Sequence, residues 1–89
     1  MRVVVLDRVV ERHPELSMRD VATAFKSIYM DAQRANGHWI AVGTDSRLRD
    51  IEMIYFHDYK ANSIVIYHAF TPPTTKFLTE IHNLKRRRI

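Results

Sequence analysis

The sequence predicts an α+β domain: a three-stranded antiparallel sheet, four-stranded if an N-terminal run joins it, packed with an N-terminal and a C-terminal helix. Three observations predict it. Apolar runs at 38–44, 50–57 and 63–70 are rich in Ile, Val, Tyr, Phe and Trp and are separated by polar turn residues. The connections at 45–49 and 58–62 can only reverse the chain, because a parallel pairing needs a crossover of about a dozen residues or more. Helical signals flank this meander on both sides.

The elements follow in order. Val3 to Leu6 is a β-branched run that reads as a strand, while Leu6, Val9 and Val10 equally fit one side of a short helix. Pro14 disfavours helix at His13 and ends either alternative. Ser17 opens the clearest helix, since its hydroxyl can accept from the Asp20 N–H while the Asp20 carboxylate suits the positive end of the helix dipole. Val21, Phe25, Ile28 and Tyr29 make one apolar face, so this helix is expected to run to Met30–Ala32 and to be followed by a QRANG loop turning at Asn36-Gly37. Both faces of the last two strands are apolar, which implies a sheet covered on both sides, or one covered face and one binding face. Thr71-Pro72-Pro73 reads as the start of the last helix, with Thr71 as its cap. Phe77, Leu78, Ile81 and Leu84 form its apolar face.

Eighty-nine residues leave room for one core. Hydrophobic residues at 46% and charged residues at 27% exclude the disordered and membrane classes. No apolar run approaches the roughly 18 residues of a span, and Asp7 and Arg8 interrupt the N-terminus before a signal-peptide core forms, so the expectation is a soluble, cytoplasmic protein without membrane contact. Cysteine is absent, which removes disulfides, thiolate catalysis and Cys-ligated zinc. The net charge of +4 is local: ten Lys/Arg cancel ten Asp/Glu over residues 1–84, and the excess is Lys85, Arg86, Arg87 and Arg88. The expected organisation is a domain at 1–84 and a basic tail at 85–89. That tail either contacts RNA or an acidic partner, or complements the negative end of the last helix.

Five histidines invite a metal reading, but none form an i, i+4 pair on a helix and there is no HExxH, so no metal and no cofactor are expected. No glycine-rich phosphate loop is present, with Gly37 and Gly43 the only glycines. His68 is the informative histidine, because it is the one titratable group in IVIYHAF apart from a tyrosine and an imidazole moves protons near neutrality. The alternative is a hydrogen-bonded core histidine. Glu52 interrupts the neighbouring run in the same way, and it stands opposite His68 if Ile54 pairs with Ile66, whereas a one-residue slip separates them. Arg34, Arg47 and Arg49 lie in or beside loops at the sheet ends. They are either solvated charges or, beside an acid and a histidine, groups that stabilise charge developing on phosphorus. His13, before Pro14, reads as a turn residue.

Three phrases in order, ERHPELSMRDVATAF, IAVGTDSRLRDIEMI and IYHAFTPPT, resemble the BrnT-like toxins of the RelE/ParE superfamily over nearly the whole chain. The resemblance implies a RelE/BrnT-like fold and a metal-independent ribonuclease of a type II toxin–antitoxin pair, in which the ribose 2′-OH attacks the adjacent phosphate. It also implies a protein antitoxin that binds the sheet and helices and ties the complex to operator DNA, which the toxin reaches only through it. His13 matches the family's histidine before the first helix, Arg49 its arginine after the turn, Arg34 a basic residue after that helix, and His68 a polar position on the last strand. The implied roles are phosphate binder for Arg34, charge stabiliser for Arg49 and proton transfer for His68, with Glu52 as orienting partner. Leu48 departs from the pattern, since the family has a turn glycine there. The class rivalling this one is a non-catalytic domain that binds a protein partner through an exposed sheet face.

Overall fold

The computed structural model describes residues 1–87, and among them contains β1 (Arg2–Val5), α1 (Asp7–Arg12), α2 (Met18–Lys26), β2 (Ile28–Gln33), β3 (Trp39–Thr44), β4 (Asp50–Asp58), β5 (Ser63–Phe70) and α3 (Thr75–Arg86). The strands form one sheet in the order β1-β5-β4-β3-β2. The meander β3–β4–β5 lies where the three apolar runs predict it. The sheet around it is five-stranded and mixed, however, which corrects the expected three or four antiparallel strands.

Each added strand has a physical reason. At the N-terminus strand and helix both form: β1 pairs parallel with β5, from Arg2 opposite Ser63 to Val5 opposite Ile66, and the long connection a parallel pair requires runs through α1 and α2 to the far edge and back along β2, β3 and β4. The Ser17–Asp20 capping box starts α2 as expected, with the Asp20 N–H donating to Ser17 Oγ at 3.0 Å and the Ser17 N–H donating to Asp20 Oδ2 at 2.9 Å. That helix stops at Lys26, and Ile28 and Tyr29 are strand residues. Their offsets from Val21 satisfy a helical face, but a β-branched and an aromatic side chain also suit a strand. The pairing of Ala32 with Ile40 and Gln33 with Trp39 decides the matter. Asn36-Gly37 is thus the turn of a hairpin. Gly37 has φ +90°, its N–H donates to the Arg34 carbonyl at 2.9 Å, and the Arg34 N–H donates to the His38 carbonyl at 2.8 Å.

Helices cover both faces. α1 and α2 bury Val9, Leu16, Val21 and Ala24 against Ile51, Met53, Tyr55 and Ile66 on the first face. α2 crosses β3 so closely that a Cβ on Gly43 would collide with the Ala24 carbonyl oxygen. α3 buries Phe77 and Ile81 against Ala32, Ile40 and Val42 on the second face, with Met30, Ile54 and Leu84 at the margin. The start of α3 also corrects the sequence reading. The Thr71–Pro72 bond is cis, and Thr74, not Thr71, is the N-cap, its hydroxyl accepting from the Phe77 N–H at 3.2 Å. α3 continues through Lys85 and Arg86 to Arg87 as C-cap, so the basic run begins inside the helix, and Arg88 lies outside the described residues.

The β4–β5 hairpin is irregular where it matters most. From the turn, Asp58 to Tyr55 pair with Ser63 to Ile66; beyond a bulge, Ile54 pairs with His68 and Glu52 with Phe70. Tyr67 is the extra residue. An unpaired residue lets two consecutive side chains address one face, and Tyr67 and His68 do so, Tyr67 meeting Phe56 and His68 meeting Phe77 of α3.

Candidate functional site

The register answers whether Glu52 and His68 meet. Observed pairing is two residues away from the Ile54–Ile66 arrangement that would set them opposite one another. A two-residue offset preserves the face while a one-residue slip inverts it. The pair therefore meets on a diagonal, with His68 Nε2 2.8 Å from Glu52 Oε2. Glu52 is buried, and its second oxygen accepts from the Thr74 N–H at 2.8 Å and the Thr74 hydroxyl at 3.3 Å, which anchors the first turn of α3. A carboxylate bound by these donors acts purely as acceptor, so His68 presents its Nε2–H to it and carries its lone pair on Nδ1. The side chain is 35% exposed.

A second histidine joins this pair. His13 caps α1 where β1 has ended and the second half of β5 lies uncovered by it. Its ring packs edge-on against Phe70 at a centroid distance of 4.9 Å and stands 6.5 Å from the His68 ring at an interplanar angle of 85°. Glu15 Oε1 lies 3.8 Å from its Nδ1. Sequence reasoning read His13 as a turn residue. The overlooked signal is β1 itself, because the short parallel strand brings the end of α1 beside β5.

Neither arginine joins them. Arg49 turns to the α2 face, where its guanidinium lies 2.7 Å from Asp45 Oδ2 and 3.2 Å from Asp20 Oδ2 and donates to the Glu15 carbonyl at 3.1 Å. Asp45 also accepts from the Arg47 and Arg49 backbone N–H groups at 3.0 and 2.9 Å. Burial would raise the Asp45 carboxyl, but the Arg49 backbone N–H and guanidinium hold it below the usual aspartate value. Asp20 is lowered as well, first by the Ser17 N–H, with Arg47 and Arg49 adding to the effect. The Asp45 hydrogen bond raises Arg49 in return. Arg34 lies on the α3 face in a two-pronged pair with Glu80, Nε to Oε2 at 2.7 Å and Nη2 to Oε1 at 2.9 Å. That pairing lowers Glu80 and raises Arg34. Lys85, Arg86 and Arg87 are exposed on α3.

A strip of aromatic rings continues from His68 on the same face. Tyr67 shares a 2.7 Å hydrogen bond with His38 Nδ1, and His38 stacks on Phe56 at 5.3 Å and 24°. All three rings are half-buried. The alternation of β4 and β5 does not reveal this neighbourhood, which depends on the bulge at Tyr67.

Fold and site together define a small α+β sheet protein with a carboxylate-anchored histidine and a second imidazole at one end of the sheet. No family model, curated protein or solved structure matches the chain. Among the described residues no group of three or more His, Cys, Asp or Glu side chains is placed to hold a metal, and no helix is long and apolar enough to cross a membrane.

Proposed function

We propose that the protein is a metal-independent ribonuclease of the toxin type, with His68 and His13 as its proton-transfer groups. The observation that carries this reading is the half-exposed His68 ring, fixed by buried Glu52 and facing a second imidazole 6.5 Å away between ring centres. Rings this close can both reach one phosphodiester bound over them. Neutral His68 Nδ1 takes the proton of the ribose 2′-OH, whose oxygen attacks phosphorus and forms a 2′,3′-cyclic phosphate. Protonated His13 gives its proton to the departing 5′-oxygen, and Glu52 stabilises the imidazolium formed on His68. In this reading Arg34 and Arg49 hold the framework instead of the phosphate, because carboxylates already engage both. The resemblance to BrnT-like toxins supports the same chemistry and adds a protein antitoxin as neutralising partner, through which alone operator DNA is reached.

The test is incubation of the purified protein with single-stranded RNA in the presence of EDTA. Fragments ending in 2′,3′-cyclic phosphate are expected, together with growth arrest on induced expression that His68→Ala and His13→Ala relieve. Cleavage indifferent to both substitutions in folded protein, or abolished by EDTA, refutes the assignment. The engagement of both arginines favours the rival reading, a protein-interaction domain, and under that reading the purified protein leaves RNA intact and its expression is harmless.

A further inference from the structure

We infer that the half-buried strip Tyr67, His38 and Phe56 is a stacking platform for the bases of single-stranded RNA, leading them along the sheet to the imidazole pair. This deepens the ribonuclease reading and rests on it for the identity of the ligand. Three observations carry it. The strip is continuous with the site, since the bulge puts Tyr67 and His68 on one face in consecutive positions. It is not part of either core: among the described residues α3 packs on Met30, Ala32, Ile40, Val42 and Ile54, while Phe56 and Tyr67 belong to neither cluster. Its rings are held in place, because the Tyr67–His38 hydrogen bond and the His38–Phe56 stack fix them before any ligand arrives.

Charge then selects the occupant. One flank of α3 presents Lys76 and Glu80 one turn apart and Arg87 two turns further on, and Arg34 reaches Glu80 from the β2–β3 turn. Tyr67 lies near Arg34. Arg34 and Glu80 neutralise each other, and Lys76 and Arg87 leave this flank with a positive balance. Flat rings beside a positive flank match a chain that alternates bases with phosphates, since every base has a face to stack and every linkage a charge to neutralise. An aliphatic protein surface gains little from such a border.

The experiment uses the full chain and an uncleavable probe, a 2′-O-methyl RNA octamer, beside an abasic octamer of equal charge. The base-bearing octamer is expected to bind about tenfold or more tightly than the abasic one, and Phe56→Leu to remove most of that difference while Tyr67→Phe retains it. Equal binding of the two probes, or an unaltered preference in folded Phe56→Leu, overturns the platform and leaves the strip to a protein partner. The two readings fail separately: base-dependent binding without cleavage of ordinary RNA refutes the enzyme and keeps the platform, while cleavage with no preference for bases does the opposite.

Discussion

Two polar clusters sit at the same end of the sheet on opposite faces, and they differ in what they leave unused. On the α2 face Arg49 is spread over Asp45, Asp20 and the Glu15 carbonyl, so that every group points inward and the β3–β4 turn is tied to the capping box of α2. On the α3 face Glu52 ties the start of α3 to β5, yet the histidine it holds keeps a ring nitrogen turned away and a third of its side chain exposed. Both clusters contain a buried carboxylate beside a basic group. The first is closed and acts as a staple, whereas the second is structurally anchored on one side and chemically open on the other. Under the proposed ribonuclease reading, the number of partners a basic group already has separates structure from chemistry better than its residue type does.

The sharpest way to break the comparison is to substitute across it. Under the proposed ribonuclease reading His68→Ala and His13→Ala are expected to lower RNA cleavage per folded molecule by about 10²–10⁴. His13→Ala should leave the melting temperature nearly unchanged, because its ring lies in neither core, whereas His68→Ala also lowers it by taking the imidazole partner from buried Glu52. Arg49→Lys should do the reverse. A lysine cannot span Asp45, Asp20 and the Glu15 carbonyl together, so thermal melting falls while turnover per folded molecule is kept. Loss of cleavage in folded Arg49→Lys would make Arg49 a participant. Glu52→Gln tests the boundary between the two roles. The amide oxygen still accepts from Thr74, but its NH₂ requires an acceptor at His68 Nε2 and moves the proton to Nδ1, so cleavage is expected to drop by about 10² with α3 intact by circular dichroism.

Asp45→Ala probes the closed cluster alone. It leaves the Arg47 and Arg49 N–H groups and the guanidinium without the carboxylate that serves all three, at a cost of about 2–4 kcal/mol in denaturant unfolding. A loss under about 1 kcal/mol would mean that water replaces the carboxylate and that the cluster is no staple.

The meander and the capping box were legible because alternation and capping chemistry are local rules; whether Glu52 faces His68 was not, since the bulge at Tyr67 decides it. What was not legible depended on non-local choices. Ile28 and Tyr29 satisfied a helical face and a strand equally, and the free edge of β3 took them, although Asn36-Gly37 between apolar runs already carried a hairpin signal. β1 needed a partner distant in sequence, and with it went the position of His13. The arginines were misleading for another reason, since their residue type suits phosphate and carboxylate equally and only the fold supplied the carboxylates Asp20, Asp45 and Glu80.

The carboxylates paired with arginine should also dominate the acid limb of stability. Asp20, Asp45 and Glu80 have folded-state values below their ordinary ones of 3.8, 3.8 and 4.5. Their contribution is therefore fully present above those ordinary values and is lost as pH falls through the lowered ones. Thermal melting should hold from pH 7 to about 5 and fall below about 4, and Asp45→Ala should flatten that fall. Tyr55 acts at the other end, where burial pushes its hydroxyl up to about 12 from 10.0. The folded state then keeps a proton that the unfolded chain releases, so stability declines as pH rises from 10 towards 12.

The smallest effect belongs to Leu48, at the tip of the turn that Arg49 staples. The backbone there has the conformation glycine favours, with φ +63° and the Leu48 N–H donating to the Asp45 carbonyl at 3.0 Å. A side chain in the left-handed region costs about 1–2 kcal/mol, and this one is 84% exposed and recovers almost nothing by burial. Glycine at this site removes that strain but gives the unfolded chain more freedom, which offsets about 0.4–1 kcal/mol of the gain. Leu48→Gly should thus stabilise by about 0.5–1 kcal/mol net, read as a raised urea midpoint at unchanged slope. If instead it destabilises, Leu48 makes a contact that outweighs its backbone strain, and the turn is held by more than the Arg49–Asp45 pair.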